Sequence, residues 1–308
     1  MTQLAFYRDF RRFSGGHMKV WDYYCHTQHS DHFRPTIYFT PDSLFDASNP
    51  WGAAGEPIED SWDPGAADAL FLGGLDWFAV PEDCTTPVIN LVQHVRHSDP
   101  SDVRYGFLSR RAIRICVSQP VADAVLATGQ ANGPVLTIPA GLDPNPFPKP
   151  AAKRDIRVLI AGLKQPALAA ELSATLADQG IPNVCLKKAL PRQEFLRLLG
   201  LATVTVFLPH HQEGFYLPAL EGMGMGTLVV CPDCVGNRQF CEAEVNCLMP
   251  DYNLESLVSE VLRSVAMDAP TLARLTSAGQ KRQALHGLSK EREDFLQLLE
   301  TIQPFAKT

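Results

Sequence analysis

The chain has 308 residues, 45% hydrophobic and 20% charged, with a formal net charge of −7. That profile belongs to an ordinary folded globular protein and excludes a disordered or fibrous one. The acidic balance lacks the basic footprint that nucleic-acid binders carry. At about 100–200 residues per domain, the length allows two domains. No apolar run reaches the roughly 18 residues of a membrane span. The opening MTQLAFYRDFRRF lacks a long apolar core and a small-residue cleavage site, so no signal peptide is expected. The eight cysteines are therefore expected as reduced thiols in a cytoplasmic protein.

In chain order, LAFYRDF (4–10) reads as a strand and is followed by a glycine turn at Ser14-Gly15-Gly16. HMKVWDYYCHTQ (17–28) has mixed helical periodicity, and TIYFT (36–40) reads as a second strand. Residues 41–66, rich in Pro, Asp, Trp and Gly, read as an irregular loop. ADALFLGG (67–74), PVINLVQH (87–94) and RAIRICVS (111–118) are further β-rich runs. Short apolar strands separated by helix-length segments predict βαβ units and a parallel sheet.

The segment PAGLDPNPFPKPAAKRD (139–155) carries five prolines in its first twelve residues. Neither helix nor central strand tolerates that density, so the segment reads as a linker. Beyond it a second α/β array is expected. Strands are predicted at 156–163, 184–189, 204–209 and 227–232, and helices at 166–179, 191–200 and from 218. Three more helices are expected near 254–266, 270–284 and 289–303. The predicted domains are 1–145 and 146–290, with a helix over 291–308 packing back on the first. The fold class is α/β: two Rossmann-like, doubly wound domains facing across a cleft, where ligands bind beyond the carboxyl ends of strands. No P-loop occurs, and Gly222-Met223-Gly224-Met225-Gly226 follows a helix and precedes a strand, which is the wrong context for a dinucleotide loop.

Cys231, Cys234, Cys241 and Cys247 form C-x2-C-x6-C-x5-C, with His210 and His211 upstream. Only half of the paired C-x2-C arrangement of a zinc site is present, so no metal site is predicted and ordinary thiols are expected.

The stretch EGFYLPALE (213–221) places Glu213 in a loop after a strand and Glu221 one turn into a helix. Pro218 suits the first helical position, where its missing N–H costs nothing. The amides of Phe215 to Leu217 are then expected to be unpaired and suited to phosphate. A pair of carboxylates can hold hydroxyl-bearing groups on both sides of a diphosphate, which is the shape of a nucleotide sugar. A capped helix with solvated glutamates is the alternative.

The motif resembles that of retaining glycosyltransferases of GT-B fold, family 4 especially, whose signature is E-x7-E. GTLVVCPDCVGN, NCLMPDYNLESLVSEVL, and VSQPVADAV with TIPAGLD are similar to the family's neighbouring segments, over about 111–260. The resemblance implies transfer of a sugar, with retention, from a nucleotide-diphosphate sugar to a glycan, lipid-linked or small-molecule acceptor. It implies an acceptor-side first domain, a donor-binding second domain and no cofactor besides the donor substrate. Glu213 would contact the donor sugar, Glu221 the ribose, and the backbone from Gly214 through Phe215, Tyr216 and Leu217 the diphosphate. The usual Gly-Arg after the first strand of the second domain is replaced by Gly162-Leu163, leaving Lys164 as the nearest cation, with Lys187 and Lys188 as substitutes. Gly15 and Gly16 resemble the loop that approaches donor phosphates, a simple tight turn being the alternative. His94 matches the histidine near the sugar, with His97 as a rival. Arg238 stands where G-G-x-x-E is usual, as an acceptor or phosphate contact or a solvated side chain.

No D-x-D occurs in the chain, so transfer without a metal is expected. A nucleotide-sugar epimerase, a non-catalytic nucleotide-sugar binder and a zinc-structured interaction module are the competing expectations. Peripheral membrane association through a lipid-linked acceptor stays open. Trp51, Trp62 and Trp77 are expected to pack in the core or loops rather than to stack on sugars.

Overall fold

The computed structural model describes residues 1–143, 145, 147–149 and 153–302. The chain divides into two compact units, Met1–Gly141 with Leu288–Thr308, and Leu142–Gly287. The first crossing thus falls inside the proline-rich segment, of which Pro144, Pro146 and Pro150 lie outside the described residues.

The first unit comprises β1 (Thr2–Arg8), α1 (Gly15–Thr27), β2 (Phe33–Phe39), α2 (Pro50–Ala54), β3 (Ala69–Gly73), β4 (Val88–Val92), β5 (Ile113–Cys116), α3 (Gln119–Ala127) and β6 (Val135–Thr137). Its six strands are all parallel, in the order β2-β1-β3-β4-β5-β6. β3 and β4 are buried along their whole length, which explains why they are apolar except at Asn90, whose side-chain amide donates to the Leu72 carbonyl at 3.0 Å. Ser14 caps α1 by accepting from the His17 N–H at 3.3 Å. The segment 41–66 is not wholly irregular. Asn49 caps the short α2, Pro50 sits in its first turn, and Gly55 closes it in the left-handed conformation. Trp51 and Trp77 are core residues, while Trp62 packs on Tyr7 and Tyr38. Arg114, fully buried, donates to the carbonyls of Phe107, Leu108, Arg110, Ala112 and Asn132, and so ties the loop before β5 to the one before β6.

The second unit comprises β7 (Ile156–Ala161), α4 (Pro166–Asp178), β8 (Asn183–Cys185), α5 (Arg192–Leu201), β9 (Ala202–Phe207), α6 (Leu217–Gly224), β10 (Leu228–Val230), α7 (Leu254–Val265) and α8 (Ala269–Ala284). Its sheet is parallel, in the order β10-β9-β7-β8. The two-residue period of β7 splits its side chains between the faces. Leu159 and Ala161 join Phe207, Leu220 and Met223 on one, and Val158 and Ile160 join Val204, Val206 and Leu257 on the other. Each fully buried Leu, Ile or Val contributes about 1.5–3 kcal/mol. Arg154 enters this unit beneath the sheet and donates to the carbonyls of Leu199, Gly200, Ala202, Met225 and Gly226. It therefore locks the chain entering β9 to the chain entering β10.

The C-terminal helix α9 (Leu288–Ile302) belongs to the first unit, where Phe295 packs on Tyr23 and Phe71. Its Glu291 is buried and fully engaged. Lys19 Nζ lies 2.7 Å from one oxygen, which also accepts the Gly141 N–H, and His26 Nε2 lies 3.3 Å from the other. Burial opposes the Glu291 charge, but Lys19, His26 and the Gly141 amide outweigh it and hold the carboxyl below its ordinary range. Among the described residues no helix is long and apolar enough to cross a membrane.

Candidate functional site

In the second sheet the crossover from β7 through α4 to β8 runs one way, and the return through α5 to β9 crosses back over β7. The loops leaving β7 and β9 therefore part at adjacent carboxyl ends, the place where open α/β sheets hold ligands. Gly162 follows β7 because a Cβ there would lie 2.5 Å from Ala169 Cβ and 2.9 Å from Leu208 Cδ1. That tight joint turns the chain so that Lys164 reaches the loop after β9. Lys164 Nζ stands 3.1 Å from Glu213 Oε1, with the lysine side chain 59% exposed and the glutamate 18%. The Glu213 N–H donates to the His210 carbonyl at 3.1 Å, fixing the turn that carries it.

The helix α6 starts one residue earlier than expected, so Pro218 is its second residue, not its first. Tyr216, the N-cap, offers no side-chain cap. The expectation that the amides of Phe215 to Leu217 are all open is corrected here. The Tyr216 N–H donates to the Gly236 carbonyl at 2.9 Å, and the Leu217 N–H turns back to the Phe215 carbonyl at 3.2 Å. The physical reason is the close approach of the Gly236 backbone to this loop, which brings its carbonyl to the Tyr216 amide. Among the described residues only the Phe215 N–H of the three has no hydrogen-bond acceptor. Gly236 packs so closely on this loop that a Cβ would stand 2.8 Å from Tyr216 N and 3.0 Å from Phe215 N.

Glu221 lies in the second turn of α6 and is 4% exposed. Arg192, the first residue of α5, forms an ion pair with its Oε1, an atom closed off from solvent. Burial pushes the Glu221 carboxyl above its ordinary range, and Arg192 only partly opposes this. Arg192 was not singled out in the sequence. Only the packing of α5 against α6 brings the two together.

In the first unit, Gly15 and Gly16 are not the apex of a tight turn. They are the first two residues of α1 and have no left-handed φ. Nothing lies within 4 Å of a Cβ built on Gly15, and Gln93 donates to the Gly16 carbonyl at 3.2 Å. His94, at the end of β4, caps a short 3-10 turn. Its Nδ1 accepts from the Arg96 N–H at 3.0 Å, and its Nε2 lies 3.0 Å from the Arg96 guanidinium. His97 is a core histidine whose pKa burial pushes down to about 3, so it stays neutral. In the second unit, Arg238 is engaged in a two-pronged surface pair with Asp233, at 2.6–3.2 Å, which removes it as a ready phosphate contact. The four clustered cysteines are buried, and Cys231 accepts from the Asn237 amide at 3.3 Å. Among the described residues no three His, Cys, Asp or Glu side chains are grouped to hold a metal ion.

Residues 145–267 match the profile of the family described as Glycosyl transferases group 1, a segment that contains Lys164, Arg192, Glu213 and Glu221. No curated protein matches the chain. Among solved structures, Anabaena Alr3699/HepE in complex with UDP and glucose is similar over 98% of this chain and 100% of its own, at 13% identity and a TM-score of 0.77. Sucrose-phosphate synthase (tll1590) from Thermosynechococcus elongatus is similar over 98% and 99%, at 13% identity and 0.71. A glycosyltransferase from Rickettsia africae is similar over 98% of each chain, at 10% identity and 0.72. The fold is that of the GT-B glycosyltransferases. At these identities the structural likeness speaks for the GT-B architecture alone, and the profile match adds a group 1 glycosyltransferase segment within its second unit.

Proposed function

We propose that this GT-B chain is a retaining, family 4-like glycosyltransferase that takes a sugar from a nucleotide-diphosphate sugar. The observation that carries the reading is the E-x7-E pair at the switch point of the second sheet. Lys164 stands against Glu213, and the buried Glu221 has Arg192 as its one charged partner among the described residues. In this reading Glu213 orients the sugar hydroxyls and Glu221 takes the ribose hydroxyls. Lys164, which is half-exposed, leaves Glu213 to meet the diphosphate. The Phe215 N–H is the amide left for a phosphate oxygen. The roles of Gly15, Gly16 and His94 in the first unit rest on the sequence resemblance. UDP and glucose in the Anabaena relative support a donor of this class.

The reaction breaks the bond between the sugar C1 and the diphosphate oxygen and forms one from C1 to the acceptor oxygen on the same face. The acceptor proton leaves with the departing phosphate. Negative charge grows on the diphosphate, and stabilising it is usually the largest catalytic contribution. Lys164 supplies positive charge at that end, in keeping with transfer that needs no metal. The acceptor is a glycan, a lipid-linked sugar or a small molecule.

The test is turnover of UDP-, GDP- and ADP-sugars by the wild-type chain and by Lys164→Ala and Glu213→Ala. Lys164→Ala is expected to lower kcat by about 10²–10³. Wild-type rates in both variants overturn the assignment, and conversion of donor alone to an epimeric sugar assigns the site to epimerisation instead.

A further inference from the structure

Arg192 has no part in the chemistry described so far. A guanidinium beside a carboxylate ordinarily forms parallel N–H···O bonds, which would use up the acceptor. Here the guanidinium lies against Oε1, which is closed off from solvent, and among the described residues no group besides Arg192 donates to this almost wholly buried carboxylate. A carboxylate has two oxygens and about four acceptor sites, so one donor residue leaves capacity over, chiefly at Oε2. On the other sides of α6, Gln283 of α8 lies against Gly224 and Phe207 and Thr227 lie against Gly222, all uncharged, while the charged Arg154 donates to the Met225 carbonyl just beyond the helix. Among the described residues Arg192 is the one charged group that acts on Glu221.

We infer that Arg192 is a positioning residue that keeps Glu221 a charged acceptor with a free lone pair, so that recognition of the donor's ribose diol depends on a side chain that touches no ribose. The inference rests on the donor-site reading above. Its physics is simple. Burial drives the Glu221 carboxyl toward the neutral form and Arg192 opposes it. Without the guanidinium the carboxyl titrates higher still, and a neutral carboxyl accepts a hydrogen bond about half as strongly as a charged one. The grip on the diol is then lost at low pH and regained as pH rises through the raised pKa.

The experiment first finds which of UDP, GDP and ADP binds the wild-type chain most tightly by calorimetry. That nucleotide and its 2′-deoxy form are then titrated into wild type, Arg192→Met and Arg192→Lys at about pH 6 and about pH 8.5. The ratio of the two dissociation constants isolates the 2′-hydroxyl and cancels titration of the phosphates and base. Wild type and Arg192→Lys are expected to prefer the ribonucleotide by about tenfold at both pH values. Arg192→Met is expected to lose the preference at the lower pH and recover part of it at the higher. A methionine variant with the wild-type ratio at both pH values overturns the inference and leaves the donor site standing. Equal weakening toward both nucleotides, the mark of a merely structural role, overturns it as well. A wild-type chain that binds none of the three overturns the donor-site reading and this inference with it. Arg192→Gln reads the same ratio if the methionine variant does not fold.

Discussion

Glu291 in the first unit and Glu221 in the second are both carboxylates withdrawn almost completely from solvent, and they are held in different ways. Glu291 is saturated. Lys19, His26 and the Gly141 amide occupy both of its oxygens. Among the described residues Glu221 has a single partner, Arg192, which lies against Oε1 and leaves acceptor capacity over. A carboxylate surrounded by protein donors serves the fold. One left with unused acceptor capacity weakens the fold and is suited to a ligand. The contrast between the two lies in hydrogen-bond completion, since burial is nearly the same for both.

The comparison breaks first on stability. Glu291→Ala leaves the buried Lys19 with Asp22 and the Gly141 carbonyl and is expected to cost about 3 kcal/mol, measured by urea unfolding. Glu221→Gln is expected to gain up to about 1 kcal/mol at pH 7, because it removes a poorly paired buried charge. The same variant should weaken binding of the best nucleoside diphosphate by about tenfold, since a charged acceptor is lost. If both variants lose the same stability, the distinction fails.

The two carboxylates also respond oppositely to acid. Glu291 titrates below its ordinary range, so its stabilisation is complete above the ordinary carboxylate pKa and is lost as pH falls through the folded value. Glu221 titrates above its ordinary range, so the folded state binds the extra proton and stability falls as pH rises past the ordinary value. The gain in Glu221→Gln should therefore vanish near pH 4, as thermal unfolding across pH will read. The smallest effect is expected for Arg238→Ala. Its pair with Asp233 is half-exposed, and its loss should change stability by less than about 0.5 kcal/mol and leave turnover unaltered. A tenfold loss of turnover would return that residue to the acceptor site.

Much of this architecture was legible in the chain because strands buried on both faces are mainly apolar, as VINLV is apart from Asn90 and IRVLIA is beyond its exposed Arg157. The three-residue β6 escaped notice because it is too short and half-buried to show a pattern. α2 was hidden in a loop by its Pro and Gly, which in the structure serve as its start and stop signals. Lys164 and Glu213 could be placed together because both follow strands of one sheet. Arg192 could not be, since its approach to Glu221 depends on how α5 and α6 pack. The pairing of Tyr216 with Gly236 was equally hidden, because the carbonyl that fills the amide comes from twenty residues further along the chain.

Arg154 sets a rule for dividing the molecule. Its guanidinium is a five-point staple on the underside of the second sheet, placed just ahead of the first strand of that unit. A fragment cut immediately before Ile156 would keep every strand and still discard the staple, leaving five carbonyls without the donor they share. Cutting a few residues upstream preserves it, so the boundary that secondary structure suggests is the wrong place for the knife.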